Sequence, residues 1–337
     1  MDNSQKRAIE KYVAKVCGAE TVCIEQMKLL SGGAVQENWF LDLLIEGGEY
    51  SGKLEAVLRC DSPTAGVAIS HGRAQEFALL STVYAAGVTV PQPLWLCEDS
   101  SVFGRPFFIM RRIRGTAAGH VLVKAGGVKN RAELAARLGR ELAKIHSVRP
   151  PQEALNFMPT HSGSPALYSV QAYRTFLDRH HTPYPALEWG LRWLERNAPG
   201  KGLITLVHGD FRTGNYMVDD SGLTGVLDWE FAGWGAPLED LGWFCAKCWR
   251  FGQNDMEAGG IGEREDFYAG YESESKRTID RDQIHYWEVM AHMKWAIIAI
   301  QQAERHCSGE EDSLLLALTG HIVPELEWEI LNMTEHS

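Results

Sequence analysis

Apolar and polar residues partly alternate between about residues 20 and 112, and the chain there reads as strands. TVCIEQMKLL, QENWFLDLLIEG and KLEAVLRC are three such runs, separated by SGGA and by Gly47-Gly48, a hairpin-turn signal. PLWLCED and PFFIMRRI add two more. Helical spacing interrupts them over AQEFALLSTVYAA, where Ser70 is placed to cap the start and Gly87 to take the left-handed position past the end. Beyond Ile113 the period becomes that of helices. Asn130 is placed to cap RAELAARLGRELAKIHSV, whose Leu134, Leu138, Leu142 and Ile145 line one face. Residues 168–198, 238–250, 263–275, 280–306 and 311–332 read the same way. Residues 203–230 are the exception: LITLVHGD, NYMVDD and LTGVLDWE look like short strands joined by tight loops. The pattern predicts a small β-rich lobe, a crossover near 110–115, and a larger helical lobe holding one β-loop insert.

A length of 337 residues suits about two domains. With 45% apolar and 23% charged residues, the composition is that of a folded chain and excludes general disorder. The formal charge of −11 argues against non-specific nucleic-acid binding, which needs basic surface. The apolar run Trp295–Ile300 is far below the ~20 residues of a bilayer span. The N-terminal MDNSQKRAIEKYVAKV sets charges among apolar residues and lacks the apolar stretch of a signal peptide. Seven cysteines without a framework spacing suit a reducing compartment, so the expected location is cytoplasmic.

The chemistry concentrates in HGDFRTGNYMVDDSGLTGVLDWE, residues 208–230. Asp210 and Asn215 are five apart across a loop containing Gly214, and Asp228 follows thirteen residues later at the end of a strand candidate. Phosphoryl transfer needs this set: one carboxylate to take or orient the proton of an attacking hydroxyl, and an amide oxygen with a second carboxylate to hold magnesium. HGDFRTGN and LDWE resemble the catalytic and metal loops of the aminoglycoside phosphotransferase-like family of small-molecule kinases. The continuation FAGWGAPLEDLGWF is most similar to the branch found fused to acyl-CoA dehydrogenases. The resemblance implies an α+β, protein-kinase-like two-lobe fold, with a nucleotide-binding N-lobe and hinge over 1–112 and a helical C-lobe over 113–337. It implies Asp210 as catalytic base and Asn215 and Asp228 as Mg²⁺ ligands. His208 then supports the loop through hydrogen bonds, Asp240 braces it, and Arg212 either meets the γ-phosphate or is solvated.

In the nucleotide lobe, Ser31, Gly32 and Gly33 between two strand candidates can lay amides against phosphate, though two glycines also suit a plain hairpin turn. AVLR places Arg59 where a kinase V-A-I-K strand carries its lysine, and Glu76, seventeen residues on in the predicted helix, is placed to hold that cation. Arg is a planar fork and Lys a point charge, so the exchange matters, yet bidentate donors to phosphate remain. Lys53, at the outer end of the strand, is the weaker candidate. FFIMRRIRG resembles the family hinge, so Met110, Arg111 and Arg112 would offer main-chain groups to the adenine edge. Arg111 replaces the acidic residue often found there.

Residues 105–149 carry eleven Lys/Arg against two Asp/Glu, and 228–280 carry five against twelve. The first stretch suits an anionic or CoA-linked substrate and the second a cationic one; solvated helix faces explain both as well. Nine of the eleven Trp lie at or beyond Trp189, as an acyl pocket or as helical core. Cys245-x-x-Cys248 has no second pair and reads as packing. The expected activity is ATP- or GTP-dependent phosphorylation of a hydroxyl on a small molecule, such as a hydroxyacyl metabolite, with no nucleic-acid or membrane partner. The alternatives are a catalytically silent nucleotide-binding module and an aminoglycoside-type antibiotic kinase.

Overall fold

The structure, a computed structural model, describes residues 3–30, 36–61, 71–160 and 162–335. Helix α1 (Asn3–Cys17) leads into strands β1 (Thr21–Leu29), β2 (Gln36–Glu46) and β3 (Gly52–Asp61), then α2 (Arg73–Ala85), β4 (Pro93–Cys97), the single turn α3 (Ser100–Phe103) and β5 (Phe107–Arg111). Helices α4 (Gly119–Leu122), α5 (Arg131–Ile145), α6 (Pro165–Arg179) and α7 (Pro185–Arg196) follow. Four short strands come next: β6 (Thr205–Val207), β7 (Tyr216–Asp219), β8 (Gly222–Val226) and β9 (Gly233–Gly235). The chain closes with α8 (Pro237–Cys245), α9 (Arg264–Ser275), α10 (Arg281–Cys307), α11 (Leu314–Gly320) and α12 (Val323–Thr334). Two compact units result. One takes Met1–Thr116, Pro151–Phe157 and Tyr216–Ala232, and the other Ala117–Pro150, Met158–Asn215 and Gly233–Ser337. The β7–β8 hairpin, which the sequence pattern puts in the helical part, thus packs with the first unit.

The first unit is built on an antiparallel sheet in the order β1-β2-β3-β5-β4. Alternation along β3 buries Leu54, Ala56, Leu58 and Cys60 in a core shared with Ile9 and Val13 of α1. Successive strand side chains point to opposite faces, so Arg59 stands on the other face from that core. Gly47 and Gly48 make the β2–β3 turn at φ +78° and +71°, and a Cβ on Gly48 would lie 2.5 Å from the Cys17 carbonyl oxygen. Helix α2 differs at its start from the expectation. Ser70 lies outside the described residues, and the capping position is Gly72, whose N–H donates to Gln75 Oε1 at 3.0 Å. Its end is as expected, with Gly87 at φ +79°.

In the second unit Asn130 caps α5 by accepting from the Glu133 N–H at 3.1 Å. Leu134, Leu138, Leu142 and Ile145 are all buried. The periodic stretch 168–198 is two helices, α6 and α7, with Pro183 and Pro185 at the break. Likewise 311–332 divides into α11 and α12, with Pro324 in the first turn of the latter. Helices α6, α7, α10 and α12 share one apolar core. Among the described residues no helix is long and apolar enough to cross a membrane.

Candidate active site

The loop between β6 and β7 belongs to the second unit and folds around its own polar groups. Gly209 and Gly214 take φ +77° and +115°, and the tight path brings Asn215 back onto Asp210. Asn215 Nδ2 donates to Asp210 Oδ2 at 2.6 Å and to the Asp210 carbonyl at 2.9 Å. With its amide nitrogen engaged twice, Asn215 presents its oxygen as the remaining group. Asp210 Oδ1 accepts from Trp243 Nε1 at 2.9 Å and from Arg212 Nε at 3.0 Å. The Asp210 side chain is 12% exposed, a carboxylate held in place and still reachable. His208 Nδ1 accepts the Asp210 N–H at 3.2 Å, a loop-supporting contact. Arg212 is neither extended into solvent nor directed only outward: besides Asp210, its guanidinium lies 4.7 Å from the centre of the Trp249 ring.

Asp240 of α8 supports the same loop from beneath. Its carboxylate accepts the N–H groups of His208 at 2.7 Å and Gly209 at 2.9 Å, and a third bond from His146 Nε2 at 3.1 Å. Lys294 of α10 donates to the Gly209 carbonyl at 2.6 Å and lies over the Trp243 ring at 4.7 Å. It also faces Glu239 at 3.7 Å, whose carboxyl is raised in pKa by burial in spite of that cation. Trp243, His146 and Lys294 were not legible as site residues. They lie 33 or more residues from their loop partners, and Trp and Lys on helices ordinarily signal packing and solvation.

The first unit gathers Arg59, Glu76 and Asp228. Arg59 Nε pairs with Glu76 Oε1 at 2.8 Å, and Arg59 Nη2 with Asp228 Oδ1 at 3.1 Å. Burial opposes the Arg59 charge, but Glu76, Asp228 and Glu230 more than reverse this and raise its pKa above the ordinary guanidinium value. Glu76 is shared: its other oxygen pairs with Arg73, a buried residue that also binds Asp61 at 3.0 Å. Arg73 escaped the sequence reading because the second cation of the cluster comes from the first turn of the same helix. Asp228 sits at φ +65°, a left-handed position that turns the chain sharply after β8. Lys53 is exposed and meets only Glu25, at 3.4 Å.

In the hinge segment two main-chain donors are already engaged. The N–H groups of Arg111 and Arg112 already donate to the carbonyls of Gln92 at 2.8 Å and Glu55 at 3.0 Å. With these two donors taken, a base edge would be met by other main-chain groups of the segment. The side chains are engaged as well, Arg111 with Gln92 and Arg112 with Asp42 and Glu55. Ser31, Gly32 and Gly33 lie outside the described residues. Cys245 is buried and Cys248 half-buried, and burial raises both thiols.

Magnesium binds through one or two carboxylates with phosphate and water completing the shell, so it needs no all-protein cage. The amide oxygen of Asn215 and the 36%-exposed carboxylate of Asp228 fit that donor chemistry, each within its own unit.

Residues 27–276 match the family described as phosphotransferase enzyme family. Acyl-CoA dehydrogenase family member 10 of Mus musculus is 24% identical over 96% of the chain, and family member 11 of Homo sapiens is 27% identical over 56%. The chain spans only 31% and 24% of those two relatives. Among solved structures, a Ralstonia eutropha protein classed as an aminoglycoside phosphotransferase superposes with a TM-score of 0.75 at 21% identity, covering 98% of both chains. A spectinomycin phosphotransferase crystallised with ADP and spectinomycin gives 0.63 at 12% identity, covering 98% of this chain and 99% of that one.

Proposed function

Because the chain belongs to the phosphotransferase enzyme family and has its two-lobe α+β kinase-like fold, we propose that it transfers the γ-phosphoryl group of ATP or GTP to a hydroxyl of a small molecule. The observation that carries this reading is the Asp210–Asn215 arrangement, which holds a carboxylate firmly and engages the amide nitrogen twice, leaving the amide oxygen as the remaining group. Asp210 accepts or orients the proton of the attacking hydroxyl, and Trp243 and Arg212 fix its carboxylate plane. Asn215 and Asp228 are the magnesium ligands. Held there, the ion would supply positive charge against the negative charge that develops on the transferred phosphoryl group. Arg59, kept charged and oriented by Glu76, supplies donors to the α/β-phosphates. Arg212 is poised beside Asp210 to meet the γ-phosphoryl group. His208 and Asp240 keep the loop in shape without touching the reacting atoms.

The acceptor we favour is a hydroxyacyl-type metabolite, supported by the basic stretch 105–149 and by the names of the longer relatives. An aminoglycoside acceptor is the alternative suggested by the structural neighbours, which include an enzyme bound to spectinomycin. A silent nucleotide-binding module is favoured by one observation, the hold of Arg59 on Asp228. Turnover of Mg-ATP and Mg-GTP against hydroxyacyl-CoA and kanamycin-type acceptors, side by side, tests all three. Phosphorylated acceptor is expected, and Asp210→Asn lowers its turnover by ~10²–10⁴. Undiminished turnover by that variant would remove Asp210 from the mechanism. Nucleotide binding without turnover on either panel would select the silent module.

A further inference from the structure

The helical unit contains a cavity of about 290 Å³ walled by the segment after α8, by α10 and by α12. Phe251 and Leu326 give it apolar surface, Lys247, Glu325 and Glu329 stand on its wall, and His292 forms its buried side. His292 is 1% exposed. Its Nδ1 lies 2.7 Å from the carbonyl oxygen of Glu288, one turn back on α10, so Nδ1 carries the proton. Burial lowers the His292 pKa and keeps the ring neutral. The other nitrogen, Nε2, is therefore a bare lone pair, and it finds no hydrogen-bond partner among the described residues. A buried acceptor left without a donor is destabilising, and native interiors rarely tolerate one.

The charges of the wall narrow the choice of occupant. Lys247 is held by Glu329 at 2.5 Å, and Arg250, whose charge also reaches His292, by Glu257 at 3.4 Å, while Glu325 has no ion pair among the described residues. The cavity thus offers a neutral acceptor and an unbalanced carboxylate beside apolar carbon. An anion meets repulsion there. A metal ion has too few ligands, since no three His, Cys, Asp or Glu side chains converge anywhere among the described residues. We propose that this cavity binds a small protonated organic amine, whose N–H groups donate to His292 Nε2 and to Glu325 while its carbon chain lies on Phe251 and Leu326. The volume is at the small end of ligand pockets, which limits the guest to a compact molecule or one end of a longer one. The inference does not depend on phosphoryl transfer.

Isothermal titration of the full chain with n-butylamine, n-butanol and butyrate tests it, alongside the ¹⁵N resonance of the His292 imidazole. The amine is expected to bind at least about tenfold tighter than the alcohol or the acid, the scale of one charge-assisted hydrogen bond. It should also move the Nε2 signal. Glu325→Gln, an exposed change that leaves the core intact, should weaken the amine about tenfold and leave the alcohol unaffected. An unmoved Nε2 signal, as a resident water donor would give, overturns the proposal. Equal binding of butyrate and butylamine, or full amine affinity in Glu325→Gln, overturns it too.

Discussion

Asp240 has no exposed surface, yet three donors surround its carboxylate. Burial alone would raise its pKa, but the His146 hydrogen bond, the nearby histidines and the His208 N–H hold it below the ordinary carboxylate value. The native state therefore binds fewer protons than the unfolded chain between the two values. The stabilisation is fully present above the unfolded value near ~3.9 and is lost as pH falls through the folded one. Asp240→Ala should cost about 3–5 kcal/mol in urea unfolding at neutral pH, because three buried donors lose the carboxylate that accepts from them. The same variant should lose less stability than the parent on acidification below about pH 4. The trio proposed to carry the reaction, Asp210, Asn215 and Asp228, was legible because its spacing is local and chemically constrained. Their supports were not, since His146, Trp243 and Lys294 reach the loop only through tertiary packing.

Helices α5 and α9 cross through glycine. A Cβ on Gly139 would lie 2.0 Å from the Phe267 carbonyl oxygen, and one on Gly270 equally close to that of Ala136. Backbone cannot yield as a side-chain tip can, so Gly139→Ala should destabilise by about 1–3 kcal/mol or more in denaturant titration. Gly200→Ala, where nothing lies within 4 Å, should stay within about 0.5 kcal/mol. Helix α10 carries a different signature. Burial pushes Glu288 from 4.5 up to about 7, outweighing Arg264 and Arg250. Here the native state retains a proton that the unfolded chain has released, so stability is lost as pH rises from about 4.5 through about 7. Glu288→Gln should flatten that part of the stability profile, read from urea midpoints across the range. Strand runs and long helices were legible from periodicity. The breaks at His180–Tyr184 and before Val323 were not, because apolar spacing continues across them although Pro183, Pro185 and Pro324 mark the stops. The prolines were the better guide.

At the scale of the whole molecule, the change from alternating to helical texture foretold a sheet unit and a helical unit. It could not foretell that β7 and β8, embedded in the helical half of the sequence, belong to the same compact unit as the sheet. A hairpin of eleven residues has no preference of its own for either side; Thr116, bridged to Val218, supplies one. Ligand linkage follows from the Arg59–Glu76 pair. At a concentration of 100 Kd, Mg-ATP should add about 2.7 kcal/mol to the stability of the fold, seen as a rise in Tm. Arg59→Met should lose most of that rise, measured against its own ligand-free baseline. A full rise in the variant would assign the triphosphate to other groups.

The amide of Asn215 has a further consequence. Turning it over would break two hydrogen bonds at once, so a cation at the proposed site would meet the amide oxygen and not the nitrogen. Such a group favours hard cations: with ATP as donor, Mg²⁺ and Mn²⁺ should sustain turnover and thiophilic Cd²⁺ should do so poorly.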